Sequence, residues 1–539
     1  MDLIFLSLLL GCASSAPPVA PPAPAGRAVV AVAEDVDSLL SVTSETSLAM
    51  EVMQAISYPL MELDFDCSLK KGPALAERWQ WSPDGKVLSM WLRDDIRWED
   101  GEPLDATDIA FTYELAATPA VNSPAAGHVA RMTAGGRPAV LDPHHIEWRF
   151  SEAYDRDTQI GHTTDLTILP AHLLSGVDPS ALRQSPLTLT PLSSGPFRVA
   201  EHAPGQRLVL AANPRFSGPT AAQAQLAEVE IRVIPSYEDR LAALAAGQVD
   251  VVAGVNVHDA DALIAANPNL RVQVRPGVDL DYLGWNLSNP LFSDVRVRTA
   301  LAQAVNLDQI KKDLFLDASG MCHAQRAVGT IPPSLCAAYN HNIELVQFKP
   351  DQARALLAEA GWGDADKDGI LDKDGVPFHF KVVTTEGIER RRLMAKRLQT
   401  AWLRVGVEVE IIQMPPNQVY RLVGKGRYDA VLVGWADGLY VDPSALWQCP
   451  EGDDRGFNVV GYCNPDVDAL IDRGLSEPDA ARSGPIWAEV QAKIYEDQPY
   501  LFLYWLDELV LVSDRVDGVE VDERGALSHL ERWHLSASR

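Results

Sequence analysis

Residues 228–255, "EVEIRVIPSYEDRLAALAAGQVDVVAGV", decide the fold class. "EVEIRVIPS" reads as a strand. "YEDRLAALAAGQ" carries helical spacing and stops at a glycine. "VDVVAGV" is an apolar run of the length and β-branched content of a buried strand. Strand, helix and strand in so short a span form a βαβ unit, so at least part of the sheet is parallel. The chain is therefore α/β.

Upstream, "RAVVAVAED" (27–35) is a short apolar strand, and "SLAMEVMQAISYPLMELD" has helical spacing up to Pro59. "WQWSPDGKVLSMWLRDDIRWEDG" reads as a hairpin around the turn "SPDG". "DATDIAFTYELAAT" (105–118) is a helix that opens on a capping residue. Downstream of Pro276 the alternation restarts. "DYLGWNLSN" reads as a strand and "SDVRVRTALAQAVNLDQIKKDLF" as one long capped helix. "KPDQARALLAEAGW" is a helix, "PFHFKVVTT" a strand and "ERRRLMAKRLQTAWLRVG" a helix. "VEVEIIQM" and "YDAVLVGWAD" are strands. The last stretch, "QPYLFLYWLDELVLVSDRVDGVEVDE", is strand-like and is expected to return toward the first half.

At 539 residues the chain is long for one core, and two or three lobes are expected. The formal charge is -28, spread along the chain, which argues against nucleic-acid binding. Leu3 to Leu10 is an apolar run too short to span a bilayer and suited to the core of a signal peptide. It ends in "LLGC", which resembles a bacterial lipobox with Cys12 as the lipidated residue. Only Met1 and Asp2 precede it, where a basic segment is usual. Ala16 to Ala25 is a Pro/Ala tether. Residues 1–11 are thus read as a lipoprotein signal peptide and 12–26 as the tether. Of the five further cysteines, Cys322 and Cys336 are fourteen apart, as are Cys449 and Cys463. Each pair is able to close a local loop in an exported protein, leaving Cys67 unpaired. No CxxC spacing exists for a zinc site.

"GDADKDGILDKDG" (363–375) matches the front half of an EF-hand loop. Position twelve from Asp364 is Gly375 rather than a glutamate, and a strand follows instead of a helix. An acidic turn between helix and strand is the better reading. A weak Ca²⁺ site at Asp364, Asp366, Asp368 and Asp372 is the alternative. No nucleophile elbow, HExxH set or phosphate loop stands in a supporting context. His144–His145, beside Asp142, reads as a surface turn.

Several blocks together resemble one family, the extracytoplasmic solute-binding proteins of ABC importers of the oligopeptide/dipeptide/nickel class (family 5). They begin with "LAERWQWSPDGKVLSMWLRDDIRWEDGEPLDATDIAFTYE" (75–114) and "SSGPFRV". "RLAALAAGQVDVV" and "GWNLSNPLFSDVRVRTALAQAVNLDQI" follow, then "KPDQARALLAEAGW", "LRVGVEVEI", "YDAVLVGWADGLYVDPSALW" and "GYCNPDVDALID". The resemblance covers nearly the whole chain after the tether. It implies a two-lobed periplasmic-binding-protein clamp (type II-like) with an extra N-terminal subdomain, mixed sheets and a hinge between the lobes. Residues 27–277 would form the N-terminal lobe of two subdomains, 278–506 an inserted second lobe, and 507–539 a return segment.

By the same resemblance the protein is no enzyme and needs no cofactor, Ca²⁺ being optional. It would be a monomeric receptor in the cell envelope, membrane-bound only through its lipid. It would bind oligopeptides, with dipeptides as an alternative, and deliver them to an ABC permease and ATPase complex. The resemblance implies that Asp437 pairs with the peptide ammonium, with Asp442 as the alternative or as a helix cap. Trp435 and Tyr440 would form side walls, Thr43, Ser44, Glu45 and Thr46 an early binding loop, and Trp285 and Asn286 a hinge or ligand contact. Other readings are a metal-chelate or glutathione-like ligand in the same fold, a sensory or interaction lipoprotein, and an exported hydrolase.

Overall fold

The computed structural model describes residues 24–65, 69–72, 74–132, 137–150, 166–219, 222–335, 338–436, 441–450, 455–522 and 524–537. The expected signal peptide, Cys12, Cys67, Cys336, Asp437 and Tyr440 lie outside them, as does most of the tether.

One eleven-stranded mixed sheet runs through the molecule. Its strands are β1 (Arg27–Val32), β2 (Phe197–Ala203), β3 (Arg207–Ala212), β4 (Glu228–Val233), β5 (Val251–Val255), β6 (Leu270–Trp285), β7 (Ala324–Arg326), β8 (His379–Thr385), β9 (Glu408–Met414), β10 (Ala430–Ala436) and β11 (Tyr500–Ser513). Their order is β9-β8-β10-β6-β11-β5-β1-β4-β3-β2, with β7 on β11. The helices that matter below are α1 (Ser47–Ile56), α2 (Ala106–Ala117), α3 (Tyr237–Ala245) and α4 (Glu389–Leu403). The β4–α3–β5 unit is the βαβ crossover read from the sequence. Both of its strands pair parallel with β1.

β6 and β11 are the two long strands, and they run antiparallel through both halves. Their register breaks between Arg275 and Asp279. Buried residues of β11 up to Leu506 pack with the second half, and those from Leu509 onward with the first. On β6 the same switch falls between Leu270 and Leu280. The molecule is a two-lobed clamp whose lobes share this crossing pair. The sequence reading starts a strand only after Pro276, whereas β6 passes through it. A proline, which has no N–H to donate, is tolerated at such a break in the ladder. A Cβ on the neighbouring Gly277 would stand 3.2 Å from the Leu506 carbonyl oxygen, so glycine lets the two strands approach there.

The first lobe carries its own four-stranded antiparallel sheet, in the order 76–81, 87–92, 145–149, 139–142. The block at 75–114 builds it. Gly85 takes a positive φ in the "SPDG" turn, and its N–H donates to the Ser82 carbonyl at 3.0 Å. Asp105 caps α2, and Asp108 completes a capping box. Asp108 also accepts from Trp98 Nε1 at 3.1 Å, which ties the "WEDG" turn to the helix. The expected turn covers Pro143 and His144, with Asp142 accepting from the His144 amide; His145 opens the next strand and its ring stacks on Trp91.

The single long helix expected after Ser293 is two helices, Val295–Gln303 and Leu307–Phe315. Asn306 breaks it, because its side chain accepts from the Gln309 amide and starts a new helix.

Candidate functional site

The ligand cleft follows from strand direction. β1, β4 and β5 run parallel, and β5 ends opposite Leu509 of β11. β8, β9 and β10 also run parallel, and β10 ends opposite Asp279 of β6. Both sets of carboxyl ends therefore point at the crossing of β6 and β11. Carboxyl ends of parallel strands are where α/β folds receive ligands, and here two such edges face one another.

Charged side chains from both lobes meet at the crossing. Arg275 donates to Glu508 at 3.2 Å. Glu51, on α1, accepts from the Leu527 amide at 2.9 Å. Burial, with Glu508 adding to it, pushes the Glu51 carboxyl up to about 7 against the opposing pull of Arg275 and two backbone N–H groups. Burial also raises Glu508, with Arg275 opposing. On the second lobe Asp281 is buried and accepts from Arg390 Nε at 2.9 Å and Arg391 Nε at 2.8 Å. Burial alone would raise this carboxyl; the two guanidiniums outweigh it and hold the group below its ordinary value. Gly434 makes room for the cluster: a Cβ there would overlap the Arg391 guanidinium and stand 2.7 Å from an Asp281 oxygen.

Beside these charges lies an aromatic stack. Trp435, half-buried near the end of β10, stacks on Tyr282 with centroids 6.0 Å apart. Tyr282 stacks on Tyr500 at 3.9 Å. Phe457 meets Trp435 edge-on at 6.0 Å. Phe457 drew no attention in the sequence, because an aromatic in a loop carries no periodic signal.

The structure redistributes the expected site residues. Trp435 lies near the carboxyl end of β10, half-buried, with its ring on Tyr282. Asp442 accepts from the amide and hydroxyl of Ser444, at the start of the short 444–447 helix whose N-cap position is Pro443. Trp285 is corrected to a core residue: it is 0% exposed and packs against Phe292, Phe380 and Trp402. Asn286 is corrected to a structural clamp. Its amide donates to the carbonyls of Gly426 and Tyr428, and its oxygen accepts from Arg455 and the Ser288 amide.

The early loop is braced by its own hydrogen bonds. Thr43 is buried, bonding Ser38 Oγ at 2.7 Å and donating to the Leu40 carbonyl. Asp37 takes the hydroxyls of Ser44 and Thr46 and the Glu45 amide. The three hydroxyls thus donate their protons inside the loop. The exposed Glu45 carboxylate remains, steadied by Arg183 at 3.2 Å.

Cys449 and Cys463 form a disulfide. The expected Cys322–Cys336 pair is corrected: Cys322 is a free thiol that donates to the Ala324 carbonyl at 3.6 Å, while its backbone bridges Leu316. In the acidic loop, Asp364, Asp366 and Asp368 bring oxygens within 4.8 Å of one another, all three exposed. An all-oxygen set of this kind suits Ca²⁺ in kind but is short of its ligand number. Asp372 stands apart from them because it accepts from the Ala365 amide at 2.9 Å and its backbone bridges Gly363. Among the described residues no helix is long and apolar enough to cross a membrane.

Residues 71–456 match the model of the bacterial extracellular solute-binding proteins, family 5, middle region. The chain belongs to this family of binding proteins. It is 29% identical over 480 residues to the oligopeptide-binding protein AppA of Bacillus subtilis, covering 86% of this chain and 83% of that one. It is 25% identical over 475 residues to the dipeptide-binding protein of Escherichia coli K12, covering 84% of each. The structure of AppA in complex with a nonapeptide superposes with a TM-score of 0.81 over 96% of this chain and all of that one, at 24% identity. NikZ of Campylobacter jejuni, in complex with Ni(L-His), gives 0.81 over 94% of this chain and 99% of that one, at 22% identity.

Proposed function

We propose that this chain is the extracytoplasmic receptor of an ABC importer, closing its lobes on an oligopeptide and handing it to a membrane permease and ATPase. One observation carries the reading. The half-buried Trp435, near the carboxyl end of β10, precedes Asp437 by two residues, so an apolar ring adjoins a carboxylate in sequence. A peptide needs both: ring faces for varied side chains, and an acid for an ammonium that is costly to bury unpaired. The relatives named for oligopeptide and dipeptide binding support it. Residues 27–277 with 507–539 make one lobe in this reading and 278–506 the other. Cys12 carries the lipid, and the protein acts as a monomer in the cell envelope without catalysis or a cofactor.

The test is a calorimetric titration of the chain with pentaalanine bearing free termini. Asp437→Ala should weaken binding by about 2–5 kcal/mol, the cost of leaving one partner of a buried charge pair. An unchanged dissociation constant would remove Asp437 from the site.

A further inference from the structure

The loop between Cys449 and Cys463 carries an aromatic ring that is left largely in water. Phe457 is 62% exposed, and among the described residues its ring meets Trp435 edge-on, with rings 74° apart. Its flanking residues, 455–463, are tied to the body of the lobe. The disulfide closes the base of the loop. Arg455 reaches back to Asn286 Oδ1 at 3.3 Å and Ser288 Oγ at 2.6 Å. Its guanidinium lies against two glycine turns, Gly426 and Gly461, both at positive φ. A Cβ on Gly461 would stand 3.0 Å from it. Asn458 is buried and bonds the Gln448 carbonyl and both backbone groups of Tyr462.

An apolar ring of this size gains free energy from burial, so leaving it in water is unfavourable for the free protein. Holding it there with a disulfide, an arginine strut and a buried asparagine means it is already in place when a ligand arrives. Pre-ordering a contact in this way reduces the entropy lost on binding. The ring is continuous with Trp435, which is itself backed by Tyr282 and, through Nε1, by the Tyr500 hydroxyl at 3.5 Å.

We propose that Phe457, with Trp435, forms a preset side-chain pocket that makes the cleft prefer ligands carrying an aromatic or large aliphatic group. The occupant is the apolar side chain of a bound peptide, so the inference rests on the peptide reading above. An acidic side chain would lose its water against two rings with no cation supplied by either. A cationic one would gain a ring-face attraction instead, and preference for it would be a different pocket.

The test uses the full mature chain and calorimetry. The probes are pentaalanine and pentapeptides in which one alanine at a time becomes Phe, Leu, Asp or Lys. The wild type should bind a Phe or Leu probe, at one position, on the order of tenfold tighter than pentaalanine. In Phe457→Ala that ratio should fall toward one, and in Phe457→Leu it should survive for the Leu probe. Phe348→Ala, at an exposed phenylalanine beside the 350–359 helix, should leave the ratio unchanged. An unaltered ratio in Phe457→Ala, equal weakening of all probes, or a wild-type preference for Lys would overturn the pocket and leave the peptide reading standing. Failure of the wild type to bind any probe would overturn the peptide reading and the pocket with it.

Discussion

At the scale of the residue, the crossing is governed by buried charge. Glu51 has a folded pKa of about 7 against an ordinary 4.5. Its raised value means the folded chain holds this proton more tightly than the unfolded chain does. The charged form therefore carries no penalty below about pH 4.5, a growing one up to pH 7, and a full one of about 3 kcal/mol above it. Glu51→Gln should raise the melting temperature at pH 8 and leave it unchanged at pH 4. A scanning calorimeter reads both, and equal shifts at the two pH values would contradict the assignment. Asp281 has the opposite sign. Its depressed pKa adds stability above the ordinary carboxylate range and loses it on acidification. Asp281→Ala strands two arginines and should cost about 3–5 kcal/mol in urea unfolding at neutral pH.

Neither of these charges was legible in the sequence. With 74 acidic residues, none stands out until the fold brings it beside a partner. Trp435 stood out in the sequence because it follows a glycine in a block with a family pattern. Trp285 lies in a similar "GW" pair, yet the opposite face of the sheet turns it into the core. That face is set by strand register, which one sequence does not display.

Among the elements, the local ones were readable and their partners were not. The "SPDG" turn, the α2 cap and the βαβ unit rest on residues close together, where turn and capping chemistry act. The hydroxyls of Thr43, Ser44 and Thr46 looked available because Asp37, which takes up two of them, is an unremarkable acid several residues earlier. The two cysteine pairs have identical spacing, and spacing alone does not separate the disulfide from the free thiol. The Cys449–Cys463 disulfide closes a local loop in the second half of the chain. A disulfide around a loop of this length contributes about 3 kcal/mol in the chain-entropy account. Mild reduction should lower the urea midpoint of the second lobe, followed by tryptophan fluorescence. The Cys449→Ser/Cys463→Ser double variant should no longer respond to reductant. A midpoint indifferent to reduction in the wild type would contradict this.

For the whole molecule, two features were anticipated at different depths. The alternation of strands and helices gave the α/β class, and the family pattern gave the clamp. That both halves share one continuous sheet was hidden, because Pro276 reads as a strand breaker. β6 and β11 are the only long strands among the described residues that serve both lobes, so relative motion of the lobes bends at their register break. Saturating peptide should accordingly reduce the radius of gyration in small-angle scattering, and an unchanged curve would argue against closure.

The most direct test of the central claim, a peptide held between the lobes, is native mass spectrometry of residues 26–539, purified without denaturation. A heterogeneous set of co-purified peptide masses, released on unfolding, is the predicted result. A bare protein, a single discrete adduct or a metal complex would contradict it.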